Sequence, residues 1–204
     1  ATKRQITYQE QKTYFDVLRL TVDDKYSWDF AMLGVGLRYI NGVGKPDMLH
    51  YVESFGMEGH YDFASNRGYI WSRTFPLLKR ALLLGVGQDN FAYAFPNDDY
   101  VGKVNCGFNE QIVTKPHNMY LQIWVQDGLP ALLAFLALYL LLFGRTIRKC
   151  FKKGKWNHSQ KISLAFLCGV SGYFVAGLAN DSSICVAPVF WVLFGVAFAV
   201  LRSE

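Results

Sequence analysis

Hydrophobic and polar positions change rhythm twice along this chain. Between Tyr14 and Val22, β-branched, aromatic and leucine residues crowd together; Asp23-Asp24-Lys25 then supplies a turn, and Tyr26 to Leu33 returns as a partner strand. Asn41-Gly42 and Gly44-Lys45-Pro46 punctuate the next stretch. From Ser65 the period lengthens, with apolar positions at Ile70, Trp71, Phe75, Leu77, Leu78, Ala81 and Leu82, the spacing of a helix with a broad apolar face. Ser65 or Asn66 is positioned to cap a helix starting at Arg67, Pro76 predicts a kink or break near Thr74, and Gly85-Val86-Gly87 predicts the C-terminal cap. Such a helix would lie on a membrane surface or against a bundle, with Arg67, Arg73 and Arg80 toward its polar side. Residues 88–113, with Pro96-Asn97-Asp98-Asp99 and Gly107, read as a loop. Thr114 is the expected cap of a short helix with Pro116 in its first turn, broken by Asp127-Gly128.

Beyond Gly128 the pattern becomes almost uniformly apolar. Leu129 to Phe143 carries no charge. It is short for a hydrocarbon core of roughly 30 Å, but Gly144, Thr146 and Ile147 extend it, with Arg145 reaching to the headgroups. Ile162 to Leu178 and Ile184 to Leu201 have spanning length, and Gly169, Ser171, Gly172 and Gly177 would permit close helix packing. The expected fold class is therefore mainly α. Three C-terminal integral membrane helices (129–204) come after an extracytoplasmic, site-bearing region with amphipathic helices (65–128) and a small β-rich segment (1–64).

Charge changes the picture in one respect. The net charge is +5 and the pI about 9.0, which would suit nucleic acid if the basic residues formed a general surface. Much of the excess instead clusters at Arg145, Arg148, Lys149, Lys152, Lys153, Lys155 and Lys161, between two expected spans. A topogenic role explains that placement, so no nucleic acid is expected; the basic link faces the cytoplasm, and His117 and the Asn180–Ser183 turn face outward. The four cysteines have no CxxC spacing, and no HxxxH or HExxH pattern occurs, so neither metal nor cofactor is expected. The start has no initiator Met and no leader pattern. With an external segment that needs a route across the membrane, this leads us to expect the C-terminal portion of a longer multi-span protein.

An enzyme on the outer face has no ATP or nucleotide sugar and must use an activated substrate already held in the membrane. A lipid-diphosphate sugar fits. It calls for cationic donors to the diphosphate, a task for arginine, and a base for the attacking hydroxyl, a task for histidine. Arg67 and His117 are the candidates. Against them stand plainer readings: a helix-start arginine among lipid phosphates, and a histidine that caps a helix. Arg73, Arg80 and Lys115 are candidate phosphate contacts or members of a solvated face. Asn180-Asp181 is a connecting turn, or an acid that orients a site residue.

The segments SNRGYIWSRTFPLLKRALLLGVGQDNF, PHNMYLQIWVQDGLPALLAFL and NDSSICVAPVFWVLFGV, taken in that order, resemble the O-antigen ligase and polysaccharide polymerase superfamily of bacterial membrane proteins. The shared features are Arg67 and Trp71, Gly85 and Gly87, His117 and Asn118, and Gly128, over about residues 65 to 201; residues 1–64 match nothing. The resemblance implies a glycosyltransferase of the inner membrane, multi-pass, acting on its outer face. It would transfer a glycan from undecaprenyl diphosphate to a glycan or lipid acceptor without a metal. It also implies that Arg67 and His117 are the catalytic pair. We expect the two to converge on the carrier's phosphates, His117 either accepting the hydroxyl's proton or adding a second phosphate contact, with Arg73, Arg80, Lys115 and Asn118 as the expected substrate contacts. Two other classes compete: a non-enzymatic component of a lipid-linked glycan transporter, which would more often place ionisable residues inside its spans, and a sensor with an independently folding external segment.

Overall fold

A computed structural model describes residues 2–8, 11–22, 26–107, 111–151 and 156–202. The expected turn at Asp23-Asp24-Lys25 and the link residues Lys152, Lys153 and Lys155 lie outside the described residues. The chain divides into two units, Ala1–Arg73 with Pro96–Val113, and Thr74–Phe95 with Thr114–Glu204.

In the first unit, β1 (Thr2–Tyr8), β2 (Gln11–Val22), β3 (Tyr26–Leu33), β4 (Gly36–Ile40) and β5 (Pro46–Asp47) form an antiparallel sheet in sequence order. The strand pair expected from the β-branched runs is present, with Val17 opposite Ala31 and Leu20 opposite Trp28. Alternation buries Ile6, Val17, Ala31 and Ile40 together. Arg19 and Asp29, directly opposite each other, form a two-pronged ion pair at 2.7 and 2.9 Å.

Helix α1 (Phe63–Arg80) begins with an irregular turn. Ala64, Ser65 and Asn66 have φ of 49°, 59° and 66°, and the right-handed helix runs from Arg67. Neither Ser65 nor Asn66 serves as the expected cap; the Asn66 amide donates to the Cys106 carbonyl at 2.9 Å. The break expected near Thr74 does not occur: Pro76 lies inside the helix, which continues to Arg80. Proline removes the donor that would have reached the Ser72 carbonyl. The Phe55 N–H takes that place at 2.9 Å, so the carbonyl is satisfied without a break.

The expected loop over 88–113 holds two short helices, α2 (Phe91–Ala94) and α3 (Tyr100–Asn105). Asp99 caps α3 by accepting the Gly102 N–H. Four further helices complete the chain: α4 (Met119–Asp127), α5 (Leu129–Cys150), α6 (His158–Ala176) and α7 (Ala187–Arg202). Asn118, rather than Thr114, caps α4, accepting from the Tyr120 and Leu121 N–H groups. A full capping box at Asn157 and Gln160 opens α6.

Among the described residues one helix, α5, is long and apolar enough to cross a membrane; α7 is apolar but has 16 residues. The runs read as second and third spans shorten because Gly177 and Leu178 fall beyond the end of α6, while α7 starts at Ala187 with Pro188 in its first turn. The core of the second unit is aromatic. Phe135 and Tyr139 stack on Phe174 at 4.7 and 4.1 Å, and Tyr173 on Phe190 at 4.0 Å. Around it, Leu133, Leu140, Leu141, Val175, Val189 and Val192 are exposed, so the exterior of this bundle carries many large apolar side chains.

Candidate functional site

Gly85 and Gly87, expected to cap α1, instead close the end of α4. The Val86 and Gly87 N–H groups donate to the Val125 and Gln126 carbonyls at 2.8 and 3.0 Å, and Leu129 N–H donates to Leu82 at 3.1 Å. These partners satisfy carbonyls that a helix end leaves open. The crossing is backbone against backbone. A Cβ on Gly85 would lie 2.3 Å from the Gln126 carbonyl oxygen, and one on Gly128 would lie 2.2 Å from that of Leu83; both glycines also have positive φ. No other residue type fits there.

At its other end α4 is stitched to the turn between α6 and α7. Met119 N–H donates to the Gly177 carbonyl at 2.8 Å, Asn118 Nδ2 to Leu178 at 2.8 Å, Tyr120 Oη to Phe174 at 2.6 Å, and Ser182 N–H to Gln122 Oε1 at 2.8 Å. Just before the cap, Pro116 is fully buried and His117 is bent into the left-handed region at φ 51°, an uncommon conformation outside glycine that recurs at functional sites. The His117 Nδ1 lies 3.0 Å from Asp181 Oδ2, with the histidine about half exposed and the aspartate only 10% exposed. The other Asp181 oxygen accepts the Asn118 N–H at 3.3 Å. One carboxylate thus holds both the histidine ring and the backbone that carries it. His117 Nε2 has no partner among the described residues.

His117, Asp181 and Lys115 open on a cavity of about 400 Å³ together with Asn180, Ser182 and Ser183. A second cavity of about 540 Å³ shares Lys115, Ser182 and Ser183 and runs down to Phe135, Phe190 and Trp191. Of the expected substrate contacts in this unit, Lys115 is at the site. Asn118 is not free for substrate, because its carbonyl caps α4 and its amide holds Leu178. Arg80 sits exposed in the last turn of α1, where its charge complements the helix dipole, and lines neither cavity.

In the first unit, Arg67 is half-buried and NH1 donates to the Ala64 carbonyl at 2.9 Å. Its Nε is buried without a hydrogen-bond partner among the described residues. Arg73, expected on a polar face, is buried instead. Nε meets Asp99 Oδ2 at 3.0 Å, and the guanidinium lies over the Tyr61 and Tyr69 rings at 4.8 and 4.6 Å. Tyr69 Oη donates to the same Asp99 oxygen at 3.0 Å, and Lys103 Nζ, also buried, donates to the Asn97 carbonyl at 3.1 Å. Burial pushes the Tyr69 hydroxyl well above its usual range and the Lys103 ammonium below its own. These groups spend their charge on one another, and that of Arg73 is met by Asp99. Arg67 and His117 belong to different units, and each is described within its own.

Four contributors to the second unit's cavities were absent from the expected set. Ser182 and Ser183 looked like a plain turn. Gln122 and Gln126 carried a legible signal: two amides four residues apart on an otherwise apolar helix share a face, and both are buried. No group of three or more histidine, cysteine, aspartate or glutamate side chains suited to a metal occurs among the described residues.

Comparison with known proteins places these residues in a family. The family profile described as O-antigen ligase matches residues 26–136. The match starts earlier than the resemblance drawn from residues 65–201, taking in β3 to β5, and ends within α5. It contains both Arg67 and His117. No curated protein and no solved structure matches the chain. As the profile covers more than half of the 204 residues, the chain belongs to the O-antigen ligase family.

Proposed function

We propose that the chain joins glycans at the outer face of the inner membrane, taking its donor from undecaprenyl diphosphate and working without a metal. The single observation that carries this reading is the His117–Asp181 pair beside Lys115, at the mouth of a cavity that continues among aromatic side chains. With Nδ1 held by a carboxylate, the histidine keeps its proton there and presents Nε2 as the acceptor. An acceptor hydroxyl gives its proton to Nε2, its oxygen bonds to the anomeric carbon, and the bond from that carbon to the diphosphate breaks. The leaving group departs on the lipid carrier, its growing charge met by Lys115, while Arg67 is proposed as the essential arginine of the first unit.

The same reading has α5, α6 and α7 crossing the bilayer, with the basic link between α5 and α6 in the cytoplasm. At 1.5 Å per residue α6 and α7 reach roughly 28 and 24 Å, short enough to require local thinning or polar residues at the ends. Their exposed apolar faces support it.

The test is turnover by the full chain in lipid, given a lipid-diphosphate glycan and an acceptor. Polymer growth or transfer is expected for the wild type and loss of it for His117→Ala and for Arg67→Ala, with expression intact. Near-normal product in both variants, or translocation of the donor without transfer, would overturn the reading.

A further inference from the structure

The deeper of the two cavities differs in chemistry from the pocket of His117. Its lining combines Phe135, Tyr173, Phe190 and Trp191 with Gln122, Gln126, Asp89 and Asp127. Gln122 and Gln126 are 8% and 3% exposed. Gln122 Oε1 accepts the Ser182 N–H, while its Nε2 and both polar atoms of the Gln126 amide have no protein partner among the described residues. Neither glutamine has a fully buried polar atom without a partner, so these amide groups open on the cavity and can bond to what occupies it. Asp127 is engaged by Gln88 Nε2 at 2.6 Å. With Asp89 it sets two carboxylates against the one lysine, a balance that repels a diphosphate.

An occupant that satisfies amides, tolerates carboxylates and covers aromatic rings is uncharged, rich in hydroxyl or acetamido groups, and apolar on one face. A sugar ring has those properties, since its C–H face packs on aromatic side chains while its substituents bond around the rim. The cavity shares Lys115, Ser182 and Ser183 with the His117 pocket, so a ring held in it reaches the base with a hydroxyl. We infer that this cavity is the subsite for the acceptor's terminal sugar, recognised by Gln122 Nε2 and the Gln126 amide. The inference rests on the proposed glycan-joining reading and adds to it the place and chemical class of the acceptor.

The experiment uses the full chain in lipid nanodiscs. Its probe is the host's own surface-glycan repeat, released from lipid and free of phosphate, with binding read from tryptophan fluorescence. Saturable binding is expected for wild type and for His117→Ala. Gln126→Met, which keeps the side-chain volume, should weaken it about tenfold, the scale of one or two lost neutral hydrogen bonds. The KM for acceptor should rise by a similar factor while kcat and the KM for donor stay within about twofold. Gln126→Glu, closer still in shape, serves if the methionine variant fails to fold, and a matching thermal midpoint verifies either. Equal affinity in variant and wild type, no binding by wild type, or displacement of the glycan by undecaprenyl phosphate alone would overturn the inference, the last by assigning the cavity to the lipid chain. Glutamine-dependent glycan binding without any transfer would sink the proposed reaction but not this subsite. Transfer that is indifferent to Gln126 would do the reverse.

Discussion

The Asp181 carboxylate reaches His117 Nδ1 at 3.0 Å with one oxygen and the Asn118 N–H at 3.3 Å with the other. That double hold ties the ring orientation to the start of α4. Asp181→Asn should preserve the shape but let the imidazole place its proton on either nitrogen. We expect kcat to fall on the order of tenfold to a hundredfold with little change in KM, and His117→Ala to fall further, by about 10²- to 10⁴-fold. Steady-state kinetics with a lipid-linked donor checks both; a change confined to KM would make Asp181 a binding residue.

Glycine substitutions separate backbone strain from collision. Gly128→Ala and Gly85→Ala suffer both positive φ and a carbonyl within 2.3 Å of the new Cβ, whereas Gly107, at φ 75°, has open space around it. Gly107→Ala should cost about 1–2 kcal/mol. The other two should exceed that clearly, by roughly 2 kcal/mol or more, and loosen the junction of α4 and α5. Thermal unfolding in detergent gives the ranking, and equal costs at the three sites would refute the close crossing.

Arg73 and Asp99 test structure against substrate binding. Both are under 10% exposed, so removing one partner strands the other's charge. Asp99→Asn and Arg73→Met should each destabilise by about 3–5 kcal/mol, and the double variant by less than their sum. A donor KM effect with unchanged stability would restore Arg73 as a phosphate contact.

Alkaline pH should loosen the first unit before neutral or mildly acidic pH does. The Tyr100 hydroxyl, half-buried and bonded to Asp47 Oδ2 at 2.5 Å, is pushed up to about 12 by burial and by that bond, and Tyr69 is raised further. The unfolded chain releases these protons near pH 10, so their contribution is present below that value and is lost as pH rises toward 12. Lys103 works the other way: with its value lowered, it opposes folding while charged, and this penalty fades as pH climbs to about 10.5. Amide exchange across the sheet between pH 8 and 11.5 should accelerate above pH 10, and Tyr100→Phe should flatten the rise.

Much of the fold is legible along the chain because it depends on neighbours a few residues apart. Strand pairing around residues 23–25, the helix beginning at Arg67 and the apolar helix from Leu129 all arise from period and punctuation. Local rules failed where a distant group intervened. Pro76 does not end α1, and Phe55 takes the carbonyl the proline abandons, while Asn118 caps α4 where Thr114 was expected.

The sequence by itself determined the β2–β3 pair, the longer helices, and His117 and Lys115 as candidates, since residue type and spacing express those directly. Only tertiary structure decided that Asp181 holds His117, that Gly85 and Gly128 serve a backbone crossing, and that Arg73 is committed to Asp99. Each of these joins groups from separate elements. Periodicity decides which face of an element is apolar, but the partner a polar group meets is settled when those faces pack and its water is removed.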